Sequence, residues 1–225
     1  MAAAPSERGS GSIQAMRSRV PRSRKLILAL LPAFALYVAA AEPYLRGTQL
    51  TAALERGGYV MLMRHASSPG MPPDRAHAEP DNLKQERQLD EAGRASARAM
   101  GDAFRRLRIP VGEVLSGPTY RALETTRLAQ FPAPQIFDEL GDAGNSMSPA
   151  AWTRGAWLRS RVAQVPKPGT DTVIVTHYPN IKEAFASDAG DLAEGEALVF
   201  RPDSHGTASL VGRVKIDDWP RLVDP

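Results

Sequence analysis

Two stretches constrain this 225-residue chain most. Tyr59-Val60-Met61-Leu62-Met63 runs straight into Arg64-His65-Ala66, and Asp171-Thr172-Val173-Ile174-Val175-Thr176 runs into His177. Each apolar run is too short for a typical helix and reads as a strand buried on both faces. Each then stops abruptly at an ionisable side chain. A buried strand carries a histidine rigidly to the edge of a sheet, where open α/β folds place their ligands. If the two strands are neighbours in one parallel sheet, the two imidazoles meet. A third apolar run, 111–115, stops at Ser116-Gly117-Pro118-Thr119, where a helix carrying Arg121 begins.

The intervening chain supports a layered α/β architecture. Residues 44–56 carry Leu45, Leu50, Ala53 and Leu54 at spacings that suggest a short helix, ended by Gly57-Gly58. After His65 a loop rich in turn formers runs through His77 and Pro80 to about Leu89, a length typical of site-forming segments. Asp90 is a plausible cap for a helix reaching about Leu107, with Ala95, Ala99, Ala103 and Phe104 on its apolar side. Further helices are expected over 119–130, 149–165 and 180–185. A short strand is expected over 135–137, and a loop over 138–149. Strands 197–200 and 208–214, joined by Pro202-Asp203-Ser204-His205-Gly206, suggest an antiparallel hairpin. Strand–helix alternation over most of the chain argues for a mainly parallel sheet covered on both faces.

Charge divides the chain. Six of its 28 basic residues but only one of its 25 acidic residues precede Leu26, so the remainder holds two more acids than bases. A near-neutral body argues against a broad nucleic-acid-binding face. The basic stretch leads into an apolar run from Leu26 to Ala41, containing Pro32 and leaving through Ala39-Ala40-Ala41. This is the pattern of a secretory signal peptide, with an uncleaved signal anchor as the alternative. Residues 1–41 are therefore expected to be a basic tail plus signal or anchor, a possible membrane tether, and 42–225 to be the functional domain. Its place is then the periplasm or cell envelope. Cysteine is absent, which excludes thiol chemistry, disulfides and cysteine-ligated zinc.

No P-loop, dinucleotide-binding or nucleophile-elbow fingerprint is present, and no cofactor is implied. Arg64 and Arg121 would repel a metal cation and attract an anion. Phosphoryl transfer suits these residue types: arginine forks grip the nonbridging oxygens, and helix starts after Ser116 and His177 could add backbone donors. His65 would attack phosphorus, with its positive neighbours favouring the neutral, nucleophilic form. His177 would donate to the phosphoryl oxygens, and a carboxylic acid would serve the leaving group and then the water. Arg87 could reach the pocket but reads more simply as an exposed arginine. His77 and His205 read as surface residues, and Trp152 and Trp157 as partly buried helix residues.

Arg64-His65-Ala66 after an apolar strand resembles the signature of the histidine phosphatase superfamily, the phosphoglycerate-mutase-like proteins. Ser116-x-x-x-x-Arg121-Ala-x-Glu124-Thr125 and Thr176-His177-x-x-Asn180-Ile181 match in order and spacing, and Leu89-Asp90-Glu91-Ala92-Gly93 resembles the family's helix start. The resemblance covers roughly 57–202. It implies a three-layer α/β/α sandwich around a mixed, mainly parallel sheet. It also implies a phosphorylated intermediate on His65, and a phosphate pocket of Arg64, Arg121 and His177. Glu139 lies where many members carry their proton donor, with Asp138 and Glu183 as rivals. The function implied is metal-independent hydrolysis of a phosphomonoester or phosphoramidate. The substrate would be a small molecule or a phosphorylated protein. The alternative is a non-catalytic anion- or protein-binding member of the fold.

Overall fold

The structure is a computed structural model that describes residues 44–142 and 151–223. The expected leader lies outside that range. Among the described residues, no helix is long and apolar enough to cross a membrane.

Among the described residues six strands form one sheet: β1 (Val60–Arg64), β2 (Val111–Ser116), β3 (Gln135–Ile136), β4 (Asp171–Thr176), β5 (Ala197–Pro202) and β6 (Ala208–Val214). Their spatial order is β3-β2-β4-β1-β5-β6. The first four run parallel, and β5 and β6 are antiparallel additions at one side. The expected pairing of the two histidine-bearing strands is present: Arg64 lies opposite Thr176.

The helices are α1 (Gly47–Arg56), α2 (Glu91–Arg106), α3 (Tyr120–Leu128), α4 (Ala151–Val162), α5 (Tyr178–Ala184) and α6 (Ala186–Ala189). Alternation along the central strands divides them between two cores, as a strand period of two requires. Met61, Met63, Val173 and Val175 face Met100, Ala103 and Phe104 of α2. Val60, Leu62 and Ile174 face Leu158 and Val162 of α4 and Ile181 of α5. Helices thus cover both faces of a mixed, mainly parallel sheet, which is a three-layer α/β/α sandwich.

Two local features depart from expectation. The segment read as a loop from 138 begins with a 3-10 turn over Asp138–Leu140. Tyr178 and Pro179 already belong to α5, because proline is accommodated in a first helical turn. Two further 3-10 turns, Ile216–Asp218 and Pro220–Leu222, bring Trp219 into full burial against Phe104, with ring centroids 4.6 Å apart. The side chain of Trp152 lies outside the described residues. Trp157 is half-buried against Phe137, 5.1 Å between rings.

Candidate active site

The connections after β1 and β4 leave the sheet in opposite directions: β1 leads towards β2 beyond β4, and β4 leads towards β5 beyond β1. This is a topological switch point, the place where open α/β sheets leave a crevice at their strand ends. His65 and His177 are the first residues beyond the two strands.

Backbone bonds hold both there. His65 N–H donates to Thr176 O at 3.0 Å, and Gly195 N–H donates to His65 O at 2.8 Å. The loop after His65 is fastened from α3, where Ala66 N–H donates to the hydroxyl of Thr125 at 3.1 Å. Glu124 accepts from Leu89 N–H at 3.0 Å and so fixes the entry to α2. Asp90 caps α2 by accepting from Gly93 N–H at 2.7 Å, and Ser67 Oγ donates to the same carboxylate. Gly93 is required by close approach: a Cβ there would lie 2.1 Å from Ser67 O. The Glu-Thr pair and the Leu-Asp-x-x-Gly start thus act as scaffolding for the Arg-His loop.

The two imidazoles lie 5.2 Å apart between centroids, tilted by 59°. Both are buried, at 4% and 2% exposure. Arg121, itself 4% exposed, bridges them. Its Nε–H donates to His65 Nε2 and a terminal nitrogen donates to His177 Nδ1, both at 3.2 Å. Because arginine only donates, these contacts set the tautomers. His65 carries its proton on Nδ1 and gives it to Ala66 O at 2.7 Å, so its Nε2 lone pair accepts from Arg121 within the polar cup that these three side chains form. His177 carries its proton on Nε2 and gives it to the Thr119 hydroxyl at 3.1 Å.

Burial pushes the His65 pKa down to about 4, and Arg121, Arg64 and Arg87 add to the effect in that order. His177 is also lowered well below its ordinary value, by burial first and then by Arg121 and His65. Both rings are therefore neutral near pH 7.

The arginines differ in their compensation. Arg64 donates to Glu194 at 2.8 Å and to Leu192 O at 3.3 Å, and among the described residues its buried Nε has no hydrogen-bond partner. Arg121 pairs with Asp142 at 2.5 Å. Arg87 is not the exposed residue that its loop context suggests. It is half-buried and tied to Pro69 O at 2.7 Å and Ser68 O at 3.3 Å, and its charge acts on both imidazoles. Among the described residues no carboxylate bonds to it.

The expected acids fall as follows. Glu139 sits half-buried in the 3-10 turn, and among the described residues no hydrogen bond or ion pair joins it to His65, Arg121 or His177. Asp138 is exposed. Glu183 accepts from Gly155 N–H at 3.2 Å, turning to α4. The carboxylate that meets Arg121 is Asp142, which sequence reasoning missed. The first backbone N–H of α3 does not face the cup freely either, because Glu86 accepts from Tyr120 N–H at 2.9 Å. His77 and His205 are exposed. Among the described residues, no group of three or more metal-ligating side chains gathers. A cavity of about 530 Å³ follows the Tyr120, Leu123, Glu124 and Arg127 side of α3, and no side chain of the cup lines it.

With this geometry, solved structures of similar shape are informative about fold. The chain is similar to the protein histidine phosphatase SixA complexed with tungstate, with TM-score 0.53, 17% identity, and 71% and 98% of the two chains covered. The phosphoglycerate-mutase-like fold is shown. Also similar are a candidate phosphohistidine phosphatase SixA from Agrobacterium tumefaciens (21% identity, 70% and 97% covered, TM-score 0.47) and a phosphoserine phosphatase from Entamoeba histolytica (14% identity, 70% and 97% covered, TM-score 0.46). No family profile and no curated protein matches the sequence.

Proposed function

We propose that this chain hydrolyses a phosphoryl compound, without a metal ion, through a phosphohistidine formed on His65 Nε2. One observation carries the reading: two buried, neutral imidazoles are bridged by one buried guanidinium, whose Nε–H holds the His65 Nε2 lone pair until a phosphoryl group replaces it. A neutral nitrogen held by its own backbone is an aimed nucleophile. Arg121 and Arg87 supply donors for the nonbridging oxygens, and the unpartnered Nε of Arg64 supplies another. Arg87 makes the cup an anion trap, since Arg64 and Arg121 already carry carboxylate partners.

In the free cup His177 Nδ1 accepts from Arg121. An incoming phosphoryl dianion reverses the local charge and favours imidazolium. His177 then donates to the oxygen that gains charge as phosphorus is attacked. The substrate class is a phosphorylated small molecule or a phosphorylated protein side chain. The latter is the kind of substrate named for the protein histidine phosphatase of similar fold. The basic and apolar leader supports action outside the cytoplasm.

The test uses the full chain with phenyl and 4-nitrophenyl phosphate and with phosphohistidine, in the presence of EDTA. Phosphate release that His65→Ala abolishes supports the reading. Phosphate binding without turnover would instead make this a non-catalytic anion-binding protein. N-terminal sequencing of the mature protein tests the leader.

A further inference from the structure

The nucleophile and the anion grips have a source in the cup, but water must also be activated to release the phosphoryl group from His65. Among the described residues, one carboxylate is in ion-paired contact with the guanidinium that touches both imidazoles. Asp142 bonds to the same terminal nitrogen of Arg121 that donates to His177. Asp142 is also the carboxylate whose charge acts on His177.

Its position is built from distant parts of the chain. The Thr176 hydroxyl, at the end of β4, donates to Leu140 O at 2.8 Å. The Asn180 amide, on α5, donates to Gly141 O at 2.7 Å and to the Thr176 hydroxyl at 2.9 Å. Gly117, at the end of β2, lets the turn in: a Cβ there would lie 2.3 Å from Leu140 O. Two motif residues, Thr176 and Asn180, thus bind the two backbone carbonyls immediately before Asp142, and Gly117 leaves room for the first of them. Buried polar bonds of this kind fix a backbone tightly.

We propose that Asp142 is the general base of the second half-reaction, taking the proton from the water that attacks phosphorylated His65. This deepens the phosphohistidine reading and rests on it. In its contact with Arg121 Asp142 accepts, which is the role a base for water needs. In the first step the Nε2–P bond forms and the bond from phosphorus to the leaving group breaks. The leaving group departs with the electron pair and without a proton from Asp142. In the second step phosphoryl oxygens compete for Arg121, and Asp142 turns to the water. The water oxygen bonds to phosphorus, its proton passes to Asp142, and the Nε2–P pair returns to His65. Inorganic phosphate leaves, and Asp142 returns its proton to solvent.

Acid–base catalysis of this kind contributes about 10²- to 10⁴-fold. Asp142→Asn should therefore slow steady-state turnover of 4-nitrophenyl phosphate by about that factor. It should leave a burst of one 4-nitrophenol per active site, with an acid-labile, alkali-stable phosphoenzyme accumulating. The dependence of burst rate on leaving-group pKa should match that of the wild type. Asp142→Glu keeps the carboxylate and should restore part of the steady-state rate.

Steady-state turnover by Asp142→Asn close to wild type would overturn the assignment and leave the phosphohistidine reading standing. So would loss of the burst together with a raised KM, which would make Asp142 only a positioning residue for Arg121. If both variants lose the burst, failure of Asp142→Glu to recover any rate would count against the assignment in the same way. A wild type that neither forms a phosphoenzyme nor turns over would sink the reading itself.

Discussion

The titration of His65 offers a quantitative check on the cup. Its imidazole is lowered from 6.5 to about 4, with burial as the largest cause. Between these values the unfolded chain binds a proton at this residue that the folded chain refuses. Folding stability therefore falls as the pH drops from 6.5 towards 4, and the contribution vanishes above 6.5. At 1.36 kcal/mol per unit, the loss attributable to His65 between about pH 7.5 and pH 4.5 is about 2.5 kcal/mol.

Urea unfolding of the wild type and of His65→Asn at those two pH values isolates the contribution, because asparagine can still donate to Ala66 O. The asparagine variant should lose about 2.5 kcal/mol less on acidification than the wild type. His177 lies 5.2 Å away and titrates with its neighbour, so the difference belongs partly to the pair. Nitrogen-15 spectra of the wild type should show a neutral, Nδ1-protonated His65 ring at about pH 5.5. Because burial outweighs the arginines, Arg87→Ala should raise the titration only part of the way back to 6.5. Equal acid sensitivity in wild type and His65→Asn, or a ring that titrates at 6.5, would refute the view that the folded cup disfavours imidazolium.

Asp171, fully buried and with one oxygen unpartnered among the described residues, is raised by burial from 3.8 to about 7. The folded chain keeps its proton longer than the unfolded chain, so stability falls as pH rises from 3.8 to 7. Asp171→Asn should be near-neutral at about pH 3, stabilising by about 1.7 kcal/mol at about pH 5 and by up to about 4 kcal/mol at about pH 8, read by urea midpoints. Gly93→Ala forces a Cβ against Ser67 O and should cost about 1–3 kcal/mol of stability, with a raised KM as the Arg-His loop shifts. Thr125→Val leaves Ala66 N–H and Arg121 O without their hydroxyl partner. It should cost about 1–3 kcal/mol in thermal or urea unfolding and lower kcat/KM for any phosphoryl substrate turned over.

Much of this molecule was legible before its fold was known, for local reasons. Val60–Arg64 and Asp171–Thr176 are buried on both faces, so they read as unbroken apolar runs, and the histidines that end them stand out. Asp90 and Gly93 mark a helix start by chemistry that acts over three residues. What the sequence could not show is held together across long separations. Arg87 looks like any loop arginine until Pro69 and Ser68 turn it inward. Asp142 follows a turn whose neighbours in sequence do not aim it; Thr176, Asn180 and Gly117 do, from three other elements. Glu139 stands in the position that linear spacing suggested, yet the contact with Arg121 belongs to a residue three places on. Burial periodicity is encoded residue by residue, so the sequence alone determined which segments form the sheet and which side chains end its strands. Which carboxylate reaches which guanidinium depends on how separate segments pack, and only the tertiary structure decided it.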